Sequence, residues 1–133
     1  MPPLMIAVLA LHVLAGLFWL GSSLVLARTG QGSAAWFRPQ MAAATIAVFA
    51  GGGLWSMAGL HGMGQTEQVL AAGGLAAIVA AGIQGALVGG PIRRLKSGLL
   101  AEGLARRKMA LGQRIAAALL LFALAAMVIA GRG

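Results

Sequence analysis

The chain has no cysteine and no tyrosine, and its only acidic residues are Glu67 and Glu102. Without cysteine there is no disulfide, no thiolate metal site and no thiol nucleophile. Charged residues make up 9% of the 133 positions, against about 25% in an ordinary soluble domain. A chain this poor in charge cannot cover a water-facing surface. That excludes a soluble enzyme, a disordered tail and a free nucleic-acid binder. No acid pair, no Ser/His/Asp arrangement and no phosphate-cradling loop is present, so no enzymatic activity is expected.

What the chain has in quantity is apolar and small residues. Hydrophobic residues reach 60%, mean hydropathy is +0.93, and there are 21 glycines. A bilayer core of about 30 Å needs roughly 20 apolar residues per helix. Four stretches qualify, at about residues 4–27, 39–60, 69–90 and 109–130. The expected fold is therefore all-α, a single integral membrane four-helix bundle over residues 1–133. Pro2 and Pro3 precede the first span, and Pro39 is expected to open the second, because proline suits the first turn of a helix. Pro91, after Gly89 and Gly90, is expected to end or bend the third. The first span has no basic n-region and no clear cleavage site, so it reads as a retained helix.

Ten Lys and Arg face the two acids, for a net charge of +8. In a membrane protein such residues set orientation. The first loop carries Arg28 and Arg38. The third carries Arg93, Arg94, Lys96, Arg106, Arg107, Lys108 and Arg114. The second loop, residues 61–68, carries none. The first and third loops are thus expected on the cytoplasmic side of an inner (plasma) membrane, with both termini periplasmic. Trp19, Trp36 and Phe37 then lie near the inner interface and suit an aromatic belt.

Small residues let membrane helices approach closely. Gly73, Ala77, Ala81, Gly85 and Gly89 recur every four residues along the third span and are expected to face another helix. Gln84 is expected to form an interhelical hydrogen bond. The partners expected from composition are membrane lipids and other membrane subunits or a second copy of the chain, and no nucleic acid.

The candidate ligands gather toward the outer side. His12 lies eight residues into the first span, about 12 Å deep. An ionisable side chain inside a membrane helix is costly and marks a functional hypothesis. Its structural alternative is an imidazole hydrogen-bonded to a neighbouring helix. His61 stands at the outer end of the second span. Met5 shares a helix face with His12, and Met57 shares one with His61. Met63 follows in the outer loop. Imidazole with thioether suits copper, above all Cu(I); imidazole, alone or with methionine, also holds haem iron. The candidate metal residues are therefore His12, Met57, His61, Met5 and Met63, and His12 is the main cofactor-binding candidate. Each methionine also has a plainer use as a flexible core filler.

The segment from Leu11 to Gly21 resembles the opening helix of copper-resistance D (CopD)-like membrane proteins, whose pattern is a His, six residues, then Trp-x-Gly. His12, Trp19 and Gly21 match it, and Trp36-Phe37-Arg38 is similar to the family's next segment. A similar opening His occurs in small haem-linked membrane proteins of the HemJ type. The resemblance implies copper handling or haem b binding, and carries over His12 alone as ligand. The rival expectation is a small accessory subunit of a respiratory or photosynthetic membrane complex, with packing, lipid or pigment contacts.

Orientation is directly testable. A reporter fused at Ser97 should give a cytoplasmic signal and one fused at Gly133 a periplasmic signal. A cytoplasmic signal at Gly133 would invert the topology.

Overall fold

Long runs of Ala, Leu and Val with no internal acid favour uninterrupted helices, because in lipid every backbone polar group must be satisfied within its own segment. The computed structural model describes residues 3–28, 32–57 and 64–132, and among these every regular element is helical. Helix α1 spans Pro3–Leu26 and α2 spans Ser33–Met57. A third rod joins α3 (Gln65–Gln84), one π-helical turn (Gly85–Gly89) and α4 (Gly90–Lys96). Helix α5 spans Glu102–Arg132. Three rods are long and apolar enough to cross a membrane: Pro3–Leu26, Gln65–Lys96 and Glu102–Gly131. Helix α2 has 25 residues, about 37 Å, but Arg38, Gln40, Thr45 and Gly51 to Gly53 dilute its apolar content. The protein is an all-α membrane bundle with lipid against its outer face. Leu14, Val25, Phe49, Leu75 and Ile129 are 62–76% exposed, a surface suited to acyl chains rather than water.

The inward faces follow three- and four-residue spacings. On α5 they are Ala105, Met109, Gly112, Ala116, Leu120, Ala123 and Ala126; on α3 they are Gly73, Ala76, Ala80 and Gln84. Such spacing keeps one seam inward as two helices wind past each other. The most extensive pairings are α3 with α5 and α1 with α2. Two glycines mark near backbone contact. A Cβ on Gly73 would lie 3.0 Å from the Ala126 Cβ, and one on Gly112 would lie 2.8 Å from the Leu87 Cβ.

Several expectations are corrected here. Pro39 does not open α2; the helix begins six residues earlier, at Ser33, and Pro39 lies inside it. Pro91 does not end the third rod. It has no N–H to donate and its ring crowds the carbonyl four residues back. The π turn absorbs both problems: the Gly90 N–H reaches back five residues to the Gly85 carbonyl, widening the turn ahead of the proline. The four-residue stripe faces inward as expected except at Gly85. Gly73 and Gly89 are buried, but a Cβ on Gly85 would meet nothing within 4 Å. Ala77 and Ala81 still pack against the core, and the most buried line of α3 runs beside them through Ala76, Ala80 and Gln84.

The basic end is a helical hairpin. Only Ser97 to Ala101 separate α4 from α5, so Arg106, Arg107, Lys108 and Arg114 lie on helix, not loop. The Gly98 N–H bonds the Leu95 carbonyl and the Leu99 N–H bonds the Arg94 carbonyl, which closes the helix end in a Schellman arrangement. That requires a left-handed residue, and Gly98 has φ +74°. Arg114 reaches across to α1: its Nε donates to the Ala27 carbonyl at 2.8 Å and its Nη2 to the Arg28 carbonyl at 3.4 Å. A cation there offsets the negative end of the helix dipole.

Gly73→Leu should lower thermal stability, since overpacking a filled contact costs about 1–3 kcal/mol. Gly85→Leu should leave the melting temperature near that of the parent. Thermal unfolding of both variants in detergent checks the pair; equal losses would mean that the inward face of α3 is wrongly placed.

Candidate functional site

The bundle brings one polar cluster to its centre, near the basic end. Ser23, Ser33, Gln40, Gln84 and Gln113 are fully buried, and Trp19 is 1% exposed. They come from all four rods. The Trp19 Nε1–H donates to Gln84 Oε1 at 2.6 Å. Gln84 Nε2 donates to Ser23 Oγ at 2.8 Å and to Gln113 Oε1 at 2.9 Å. Gln113 and Gln40 exchange amide bonds: Gln113 Nε2 donates to Gln40 Oε1 at 3.0 Å, and Gln40 Nε2 donates to Gln113 Oε1 at 3.2 Å. Gln40 Nε2 also donates to Ser22 Oγ at 3.0 Å. Ser22 and Ser23 donate to the Trp19 carbonyl. Among the described residues, every buried side-chain nitrogen and oxygen has a partner.

A closed set of this kind is a structural brace. An amide left unpaired in hydrocarbon costs several kcal/mol, so the cluster forms only when all four rods sit at the matching depth and rotation. It carries no charge, and its amides and hydroxyls are spent on one another. Gln84 forms the interhelical bond expected of it. Trp19 is corrected from interfacial belt to core, because its indole N–H is drawn inward by Gln84. Trp36 does sit at the surface, 47% exposed, with its ring 5.9 Å from that of Phe18. Phe37 turns inward over Gly89, where a Cβ would lie 2.7 Å from its Cζ. Gln40, Gln113 and the serines were not anticipated from the sequence; the available signal was a glutamine at similar depth in each of three spans.

His12 is half-buried between α1 and α2. Its Nδ1–H donates to the Ala47 carbonyl at 2.7 Å. That carbonyl also serves the α2 helix, and its second lone pair takes the imidazole. Gly51, one turn on, makes the approach possible: a Cβ there would lie 3.0 Å from His12 Cε1 and 3.3 Å from Nδ1. With Nδ1 carrying the proton, Nε2 of a neutral ring keeps a lone pair.

Met5 and Met57 do not converge on this ring. Met5 is seven residues from His12 on α1, about 10 Å along the axis. Met57 is six residues beyond Gly51 on α2, about 9 Å along the axis. It is exposed and lines a separate apolar groove with Val8, Leu11, Phe49 and Gly53. A metal–sulfur bond is about 2.3 Å. His61 and Met63 lie outside the described residues. Among the described residues no three His, Asp or Glu side chains gather for a metal ion.

No family model, curated protein or solved structure matches the chain.

Gln113→Leu should lower stability by about 1–3 kcal/mol, because Gln40 and Gln84 each lose a buried partner. Gln40→Leu combined with Gln113→Leu should cost less than the sum of the two single changes, by about 1 kcal/mol. Unfolding of the three variants in detergent measures this coupling; strict additivity would remove the network from its bracing role.

Proposed function

We propose that the protein is a non-enzymatic helical subunit of a larger inner-membrane assembly, held rigid so that its apolar flanks can pack against lipid and partner helices. The observation that carries this reading is the amide network. Each rod contributes to it, each buried side-chain nitrogen and oxygen among the described residues has a partner, and the network carries no charged group. The large exposed aliphatic surface of α1, α3 and α5 supports the same view. The basic α4–α5 hairpin supports a cytoplasmic position for that end and periplasmic termini.

A second reading rests on one observation, the His12–Ala47 hydrogen bond. A histidine whose Nδ1–H is held by a carbonyl is oriented as metal-bound imidazoles are, with Nε2 left for the ligand. Copper or haem b bound through His12, as the CopD-like resemblance implies, fits that ring. It does not fit a shared sphere with Met5 or Met57, given their axial separations from it. Any further copper ligand would have to come from His61, Met63 or a partner.

Visible absorbance and metal content of the purified protein separate the two. On the subunit reading the parent shows no Soret band and no stoichiometric copper, and cross-linking in native membranes captures larger membrane partners. If the parent carries one haem or one copper, and His12→Ala removes it while Met57→Ala does not, the cofactor reading replaces the first.

A further inference from the structure

Between the inner halves of α1 and α2 lies an open groove of about 370 Å³ lined by Leu17, Phe18, Gly21, Ser22, Val25 and Trp36, together with Leu26. It differs from the His12 region in position and chemistry. Phe18 and Trp36 form one wall, their rings 5.9 Å apart and tilted by 44°. Gly21 forms the floor, and a Cβ placed there would meet nothing within 4 Å. The lining hydroxyl is already engaged: Ser22 Oγ donates to the Trp19 carbonyl and accepts from Gln40 Nε2, which leaves the Trp36 indole N–H as the other polar group of the lining. The groove is therefore predominantly apolar.

Its mouth is cationic. Arg28 is exposed and stands in the turn that follows α1, three residues after Val25 of the lining. Helix carbonyls at that end would ordinarily repel an anion. Here two of them are covered by the Arg114 guanidinium, which turns a negative helix end into a positive one. The described acids lie elsewhere: Glu67 is in the first turn of α3, and Glu102 is paired with Arg106 at the hairpin. From Leu17 to Arg28 is about 16 Å along the axis, close to the 15 Å depth of one hydrocarbon leaflet.

We infer that this groove is a binding site for one anionic phospholipid of the basic-side leaflet, with an acyl chain along Gly21 between Phe18 and Val25 and the phosphate at Arg28 and Arg114. Charge and length select this occupant. A zwitterionic lipid places its own cation beside two guanidinium groups, and a partner helix would leave Arg28 without a counter-charge. The site does not involve His12, so it stands or falls separately from any cofactor.

Native mass spectrometry of the full chain in mild detergent, titrated with phosphatidylglycerol or phosphatidylcholine, tests the site. One phosphatidylglycerol should be retained per chain, about fivefold more tightly than phosphatidylcholine, the effect of one basic side chain at an anionic surface. Arg28→Gln should weaken that preference, leaving only the share that Arg114 supplies. Gly21→Leu, which has room for its side chain, should reduce retention of both lipids. Circular dichroism on the same samples confirms the fold. The proposal is overturned if the parent shows no preference, or if Arg28→Gln keeps the preference undiminished while joint neutralisation of Arg93, Arg94 and Arg106 removes it. It is also overturned if the groove is occupied by a second copy, seen as a dimer that Gly21→Leu dissolves.

Discussion

The three glutamines at the centre of the bundle are the constraint on which the other contacts depend. In water, a misplaced amide finds solvent. In hydrocarbon it finds nothing, and the penalty for an unpaired group is several kcal/mol. Gln40, Gln84 and Gln113 therefore act as depth gauges for α2, α3 and α5. The reciprocal Gln40–Gln113 bonds fix two rods, and Gln84 adds the third while accepting from Trp19 on α1. A one-residue rotation of any helix swings its contribution by about 100° and breaks the set. Small residues alone could not impose this, because alanine on alanine packs nearly as well one turn higher or lower.

The same network explains why the third rod tolerates its irregularity. Gln84 must stay level with Gln113, yet Pro91 seven residues later cannot continue an α-helical ladder. The π turn between them places the disruption after the brace and before the hairpin. It also puts Leu87 and Val88 against Gly112, and Gly89 beneath Phe37. These are positions where a missing side chain lets the widened turn be covered by a neighbour. The hairpin beyond it can then carry its cations without disturbing the membrane-embedded part.

Composition and hydropathy were enough to read the fold class, since 9% charge and four long apolar runs leave few alternatives. The first span was legible almost to the residue, because α1 ends at Leu26, just before Arg28, where polarity rises abruptly. The second was not, because proline at position 39 looked like a start signal while Trp36 and Phe37 ahead of it were already helical. The stripe on α3 misled for a related reason. A repeat of four drifts around a helix of 3.6 residues per turn, which carries Gly85 off the inward face, and the wider π turn that follows brings Gly89 back under Phe37. Gln84 stood out as polar within an apolar run. Gln40 and Gln113 did not, since each sits near a predicted boundary where polar residues are ordinary. Their pairing depended on the depth of three helices at once, which no single window of sequence contains.

His12 shows how a packing role and a ligand role can share one geometry. The Ala47 carbonyl holds Nδ1, and Gly51 clears the path, so the imidazole joins α1 to α2 in the half of the bundle that the amide network does not reach. That tether alone accounts for a polar residue in an otherwise apolar span. It consumes only one nitrogen. A hydrogen-bond donor that served packing alone could be an asparagine or a serine nearer the backbone, with less bulk to house. The imidazole instead needs a glycine opposite it and still leaves Nε2 unspent by the contact that positions it. The resemblance to CopD-like proteins bears on that second nitrogen, and the amide network bears on everything else. The bundle is braced by its glutamines whether or not Nε2 ever meets a metal, so loss of a cofactor at His12 should leave the fold standing.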